Sequence, residues 1–320
     1  MAAKVSVIIA THSRPHLLRR AVESARLAGG DVEVVVVDDA STDETAEVCG
    51  RLPGIRCVRI DRNQRVAGAR NIGILSSAAE YITFLDDDDC RLPGSLDAQA
   101  AVLDSRPDVG LVYGRALIAG QQGDVVGVYP EMPNCPEGDV FWDLLGANFI
   151  CCHAAVFRKS CLLKVGMLDA DIPGIDDWDL WVRISEIYPV ASVDKPVSVW
   201  RRSTFGSNQG SSNVAALVSM AVGAHENRWM KLPRAAVASP EMRGEIQRRF
   251  RDSQASFLLT DASVTLAAGS SYKAISKLLK VFSLDRRYIT RLYTLKVMGL
   301  GLMFKLGFSR GRMALGHYVY

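Results

Sequence analysis

Four consecutive carboxylates, Asp86-Asp87-Asp88-Asp89, follow directly on an apolar run at residues 81–85. An earlier stretch repeats the design, with Val34-Val35-Val36-Val37 ending in Asp38-Asp39. Carboxylates packed side by side repel one another, and a bound hard cation such as Mg²⁺ or Mn²⁺ offsets that repulsion. Taken alone, an acidic run reads as a solvated turn. Two acidic groups, each at the carboxyl end of a buried strand, read differently, because ligands of open α/β sheets sit in the crevice outside those ends. A third group, Asp176-Asp177-Trp178-Asp179, opens a stretch in which Leu180, Ile184 and Ile187 recur at helical spacing. A carboxylate there can take a proton from a hydroxyl if a pocket raises its pKa. Its plainer role is to cap the helix expected over 178–187.

The elements that must position these acids alternate between strand and helix. Residues 5–10 form a β-branched strand. The turn at 11–15 leads into a helix, with Ser13 or Thr11 as cap, Pro15 in the first turn and Gly29-Gly30 as the stop. Strands are expected at 32–37, 55–60 and 81–85, and helices from 41 to 48, over 69–78 and over 95–104. Residues 62–73 read as a loop running into the 69–78 helix. Strands at 109–113 and 151–157 follow, with an irregular stretch at 118–147 that holds Pro130, Pro133 and Pro136. Alternation at this pitch predicts a right-handed, mostly parallel sheet. From about 214 onward the pattern is helical and carries no chemistry.

The chain has 320 residues and a net charge of only +3, unevenly spread. Residues 271–320 hold ten Lys/Arg against one acid, Asp285, a charge of +9, while the first 230 residues sum to −8. A basic tail on an acidic body points to an anionic partner. In the tail Ile275, Leu278, Leu279, Ile289, Leu292 and Leu302 interleave with Lys and Arg. That composition predicts amphipathic helices lying on an anionic membrane surface rather than on nucleic acid. A helical cap or a homodimer contact is the competing reading. Seven cysteines without a CxxC pair suggest neither a disulfide framework nor a zinc site, and hence a reducing cytoplasm. No signal peptide and no run of eighteen apolar residues is visible.

Six stretches together resemble glycosyltransferase family 2, in the family's order and over about residues 4–205. They are Val5-Ser6-Val7-Ile8-Ile9, residues 36–45, Ala69-Arg70-Asn71-Ile72-Gly73, Leu85-Asp86-Asp87-Asp88-Asp89, Val165-Gly166-Met167-Leu168-Asp169 and Asp176-Asp177-Trp178-Asp179-Leu180-Trp181. The resemblance implies a GT-A fold, an α/β architecture with a Rossmann-like, mostly parallel sheet flanked by helices. A catalytic domain over 1–213 is expected, its nucleotide-binding half ending near 115 and its acceptor-binding half covering 116–213. A basic helical extension would fill 214–320. The resemblance also implies inverting transfer from a nucleotide-diphosphate sugar, UDP-linked by default, to a glycan or lipid-linked saccharide, with Mn²⁺ or Mg²⁺.

Carried over residue by residue, Asp39 would contact the base, and Ala10, Thr11, Asp87 and Arg70 would lie along the nucleotide. Asp86 would reach the ribose or a metal-bound water, and Asp88 would ligate the metal directly. Asp177 would be the general base, with Asp176 and Trp178 toward the acceptor. Asp176 replaces the family's usual Glu, and Trp178 serves equally well as a core residue. Arg65 stands where many relatives have glycine. The run Trp200-Arg201-Arg202-Ser203 lacks the family's histidine, although Arg201 or Arg202 could still reach the diphosphate. Three rival readings remain. A nucleotidyltransferase would need a basic, glycine-rich loop after strand one. A receiver-type signalling domain would be much shorter. A catalytically inactive relative would lack part of the set Asp39, Asp88 and Asp177.

Overall fold

The run Val5-Ser6-Val7-Ile8-Ile9 has no polar face because the strand it forms has none. β1 (Val5–Thr11) pairs in parallel with β2 (Val32–Asp39) on one side and with β4 (Tyr81–Phe84) on the other. Central parallel strands are covered on both faces and read as continuous apolar runs. The computed structural model describes residues 3–120, 123–201 and 213–289, together with residues 294, 295, 298, 299 and 302.

The chain divides into two compact units. One comprises residues 1–144 with 149–202, and the other comprises 145–148 with 203–320. In the first unit, β1 is followed by α1 (Pro15–Leu27), and β2 by α2 (Thr45–Arg51) and β3 (Arg56–Ile60). Next come α3 (Arg65–Ser76), β4, β5 (Cys90–Arg91), α4 (Ser95–Ser105), β6 (Leu111–Ala119), β7 (Val125–Tyr129) and α5 (Phe141–Gly146). The unit is completed by β8 (Ala155–Arg158), α6 (Leu162–Val165), α7 (Asp176–Ile187) and β9 (Val190–Arg201). The sheet order is β3-β2-β1-β4-β8-β6-β9-β5, with β7 on β6. The first four strands are all parallel, as the alternation predicted. Beyond β4 the sheet is mixed, because β8 runs antiparallel to both β4 and β6 while β9 runs parallel to β6. This is the expected α/β layering of a GT-A sheet.

Register brings the acids to one edge. Thr11 lies opposite Asp38, and Ile8 opposite Phe84, so the residues after β1, β2 and β4 emerge side by side. The core beneath is built from Val7, Ile9, Val34, Val36, Leu18, Val22, Leu96 and Leu103. α3 sits close against this sheet through Gly73. A Cβ there would fall 2.3 Å from Ile8 Cγ2 and 3.3 Å from Val37 Cγ2. Gly73→Ala is therefore expected to destabilise by about 1–3 kcal/mol, since overpacking forces backbone shifts. An unchanged denaturant midpoint would mean that α3 slides off β1 freely.

Several local expectations need correction. Neither Thr11 nor Ser13 caps α1. Ser13 has φ of 54° and the Thr11 hydroxyl is engaged elsewhere, leaving Pro15 to start the helix uncapped by a side chain. α1 ends at Leu27, ahead of Gly29-Gly30. α3 begins at Arg65 rather than 69, so residues 65–68, read as loop, are helical and Arg70 lies inside the helix. Arg65 has φ of 59°, a left-handed conformation that glycine adopts without strain. The 118–147 stretch is not irregular throughout. Val125-Val126-Gly127-Val128-Tyr129 pairs antiparallel with β6, and the three prolines all follow that strand instead of interrupting it. Before β8, residues Cys152–Ala154 form a single 3₁₀ turn in place of the expected strand.

In the second unit, α8 (Val214–Asn227), α9 (Pro233–Ala236), α10 (Pro240–Ala267) and α11 (Ser271–Leu284) form a helical layer. Val218, Leu258, Leu259, Val281 and Tyr288 are its buried core. Asn213 caps α8 and Ser239 caps α10 through side-chain acceptors. Among the described residues, no helix is long and apolar enough to cross a membrane. Arg202, residues 203–212 and the tail positions Leu292 and Phe304 lie outside the described residues.

Candidate active site

The four acids after β4 do four different things. Asp87 turns inward and is buried, its Oδ2 accepting the Thr11 hydroxyl at 2.8 Å and its Oδ1 meeting Arg14 Nη1 at 3.2 Å. Asp86 is partly exposed and pairs with Arg70 Nη2 at 2.7 Å. Asp88 lies 3.6 Å from Arg14, while Arg20 and Arg201 donate to its backbone carbonyl at 2.9 and 2.5 Å. Asp89 is buried, accepts the Arg201 backbone N–H at 2.7 Å and lies 3.2 Å from His153 Nε2.

Carboxylate oxygens of Asp86, Asp88 and Asp89 fall within 4.8 Å of one another. Their titration reflects that crowding. Burial, then the charges of Asp86 and Asp87, push Asp88 up to about 6. Burial, then Asp86 and Asp88, push Asp89 well above the usual carboxylate range. Burial would raise Asp86 too, but the Arg70 guanidinium brings it below its ordinary value. Crowded carboxylates suit a hard divalent cation, whose charge would offset their repulsion. Asp89 joins Asp86 and Asp88 as a carboxylate that could hold one, while Asp87 turns away toward Thr11 and Arg14.

α3 ties three sequence stretches together. Arg70 is 5% exposed and donates to Asp176 Oδ2 at 2.9 Å as well as to Asp86. Its guanidinium also lies 5.1 Å from the centre of the Phe84 ring. The next residue, Asn71, exchanges two hydrogen bonds with the Leu168 backbone at 2.8 and 3.0 Å. Arg70 is thus a buried bridge between Asp86 and Asp176.

Asp176 and Asp177 form the first turn of α7, where the helix dipole favours anions. Asp176 is buried against Arg70, whereas Asp177 is partly exposed. Burial, then the neighbouring Asp176 charge, raise Asp177 to about 7, against the lowering pull of Arg70. Trp178 is 5% exposed and its indole N–H donates to the Leu144 carbonyl at 2.8 Å. An acceptor platform needs an open ring face, so the structure replaces that expectation for Trp178 with a core role.

At the close of β2 Asp39 is buried, and its Oδ1 accepts the Gln64 N–H at 2.6 Å. Burial raises its pKa. Asp38 accepts the Ser41 N–H at 3.0 Å and so supports the turn after β2. Ala10 and Thr11 end β1 beside them.

The sequence of this chain is similar to known proteins over the same region. The profile of glycosyl transferase family 2 matches residues 6–166, just over half of the chain. The chain belongs to glycosyltransferase family 2. An uncharacterized glycosyltransferase of Haemophilus influenzae is 25% identical over 182 residues, 56% of this chain and 61% of that protein. An uncharacterized glycosyltransferase of a Nostoc species is 27% identical over 218 residues, 66% of each chain. The succinoglycan biosynthesis protein ExoO of Rhizobium meliloti is 39% identical over 95 residues, 29% of this chain and 27% of that one. The alignments thus span about three-fifths to two-thirds of the first two relatives. Among solved structures, Staphylococcus aureus TarS 1–349 superposes with a TM-score of 0.52 at 15% identity, covering 89% of this chain and 91% of that one. Structures of that protein with UDP and with UDP-GlcNAc superpose equally well, at TM-scores of 0.51 and 0.52.

Within this family 2 site, sequence reasoning missed the basic frame. Arg14 was read only as part of a turn, yet it faces Asp87 and Asp88. Arg201 holds the acidic turn through its backbone N–H and Nε. His153 is core, kept neutral by burial that pushes its pKa down to about 4, and it backs Asp89. Its own carbonyl is held by the buried Arg91, which also donates to Gln99. No spacing rule links residues this far apart.

Proposed function

We propose that this chain transfers a sugar from a nucleotide-diphosphate sugar to a hydroxyl of a glycan or lipid-linked saccharide, inverting the anomeric centre. The observation that carries the reading is the Arg70 bridge, which joins Asp86 of the donor acids to Asp176 beside the base. Donor and acceptor chemistry then share one crevice at the carboxyl edge of the sheet.

Asp177 takes the proton from the acceptor hydroxyl. The acceptor oxygen forms its bond to the anomeric carbon as the bond to the diphosphate oxygen breaks on the opposite face. A carboxylate with a pKa near the working pH suits this task. Asp39 accepts a hydrogen bond from the base, while Ala10, Thr11 and Arg70 line the nucleotide. Asp87 acts here by fixing Thr11 and Arg14. Asp86, Asp88 and Asp89 would hold Mn²⁺ or Mg²⁺, which neutralises charge on the leaving diphosphate. Asp176 orients Arg70 and borders the acceptor. The UDP complexes of TarS support UDP as the nucleotide, and the ExoO likeness supports a polysaccharide acceptor. Seven free thiols support a cytoplasmic setting.

Isothermal titration with UDP, GDP and dTDP, each with and without Mn²⁺, tests the donor half directly. Metal-dependent binding of one diphosphate is the expected result. Binding of none by folded protein would sink the reading. Asp88→Ala is expected to weaken Mn²⁺-dependent UDP binding by about tenfold or more, since charge-assisted contacts contribute roughly 1.5–3 kcal/mol. Equal affinity with and without this substitution would remove Asp88 from the metal site.

A further inference from the structure

α11 has two faces of different character. Ala274, Leu278, Val281 and Phe282 turn inward onto the core of the second unit. The opposite arc carries Tyr272, Ile275 and Leu279, which are 85%, 56% and 64% exposed. At 100° per residue these three side chains fall on one stripe along the helix. Lys273 and Lys280 flank the stripe and are also exposed. The helix contains no acidic residue between Ser271 and Leu284, and Arg286 stands exposed just beyond its end. The one inward lysine, Lys277, is neutralised by Asp261 at 2.6 Å.

We propose that this face of α11 docks the protein onto an anionic lipid surface. An exposed tyrosine and two branched aliphatics on one helix face gain free energy by entering the headgroup boundary. Lysines at the rim gain it from anionic headgroups within a Debye length. Charge complementarity selects lipid over a second copy of this chain, because two copies of the face would bring Lys273 and Lys280 against their own kind. The structure also narrows the expectation from composition. About half of the apolar residues of this helix are internal packing, and Tyr272 joins the outward set. The inference stands on α11 alone and does not depend on the reading of the active site.

The test uses the full chain and sedimentation with vesicles of phosphatidylcholine, either alone or mixed with phosphatidylglycerol. Wild type is expected to sediment with the mixed vesicles only, and less so as salt rises. Lys273→Glu with Lys280→Glu is expected to lower partitioning by about tenfold or more. Tyr272→Ser, Ile275→Ser and Leu279→Ser together are expected to lower it comparably. All five side chains are exposed, so thermal unfolding of both variants should match wild type. Failure of wild type to bind mixed vesicles would overturn the proposal, as would binding that neither variant weakens. A dimer in light scattering that the triple serine variant dissolves would assign the face to a second copy instead.

Discussion

Asp177→Asn is expected to cut sugar transfer by about 10²–10⁴-fold while leaving nucleoside diphosphate binding within about twofold of wild type. The asymmetry follows from position. Asp177 lies in the first turn of α7, partly exposed, and its Oδ1 accepts the Trp178 backbone N–H at 2.8 Å. The amide keeps the volume and still accepts from the Trp178 backbone N–H, so the turn survives. What it loses is the ability to take a proton. The pH profile gives the second signature. Asp177 is raised to about 7 by burial and by Asp176. A base with a raised pKa is protonated and idle below that value and competent above it. Transfer rate at saturating donor and Mn²⁺ should rise tenfold per pH unit up to about 7 and then level off. Saturating metal matters because Asp88, near 6, would otherwise add its own proton competition on the acid side. In Asp177→Asn the residual rate should lose the limb near 7. Transfer at the wild-type rate would remove Asp177 from the role of base.

The parts of this site that were legible in the sequence are those that local physics writes down. β1, β2 and β4 are largely buried and so appear as mostly apolar runs, and the acids after β2 and β4 stand out against them. The acidic first turn of α7 was legible because three acids opening an apolar-patterned stretch stand out in the sequence. The long-range pairings were not legible. Arg70 is 16 residues from Asp86 and 106 from Asp176, and nothing in its own helix marks it as buried. α3 is rich in small residues on all sides, which blurs its start and made residues 65–68 look like loop. Trp178 was undecided for the same reason. Its indole partner is a backbone carbonyl, Leu144, which has no sequence signature. Among the four acids, only the contacts with Thr11, Arg14, Arg70 and His153 decide which turn inward and which face the crevice.

Arg70→Met is expected to be the most damaging single change, costing about 3–5 kcal/mol of stability and abolishing transfer. Arg70 is almost fully buried, with Asp86 on one amino group and Asp176 on the other. The cost of burying the guanidinium must be offset within the fold, and the two paired acids do this together. Methionine fills the space but leaves the buried Asp176 without a cation, next to Asp177. The penalty is therefore largely that of an orphaned charge, and this gives the prediction its sharpest form. Asp176→Asn in the Arg70→Met background should restore part of the stability, although Asp176→Asn alone destabilises. A double-mutant cycle read by urea unfolding measures that coupling. Additive effects would mean that the bridge is incidental. A clear coupling would mean that α3 holds the donor acids and the catalytic turn as one piece. Loss of the bridge should then depress UDP binding as well as turnover, in contrast to Asp177→Asn, where only turnover falls. Comparing the two variants separates a residue that assembles the site from the one proposed to take the proton.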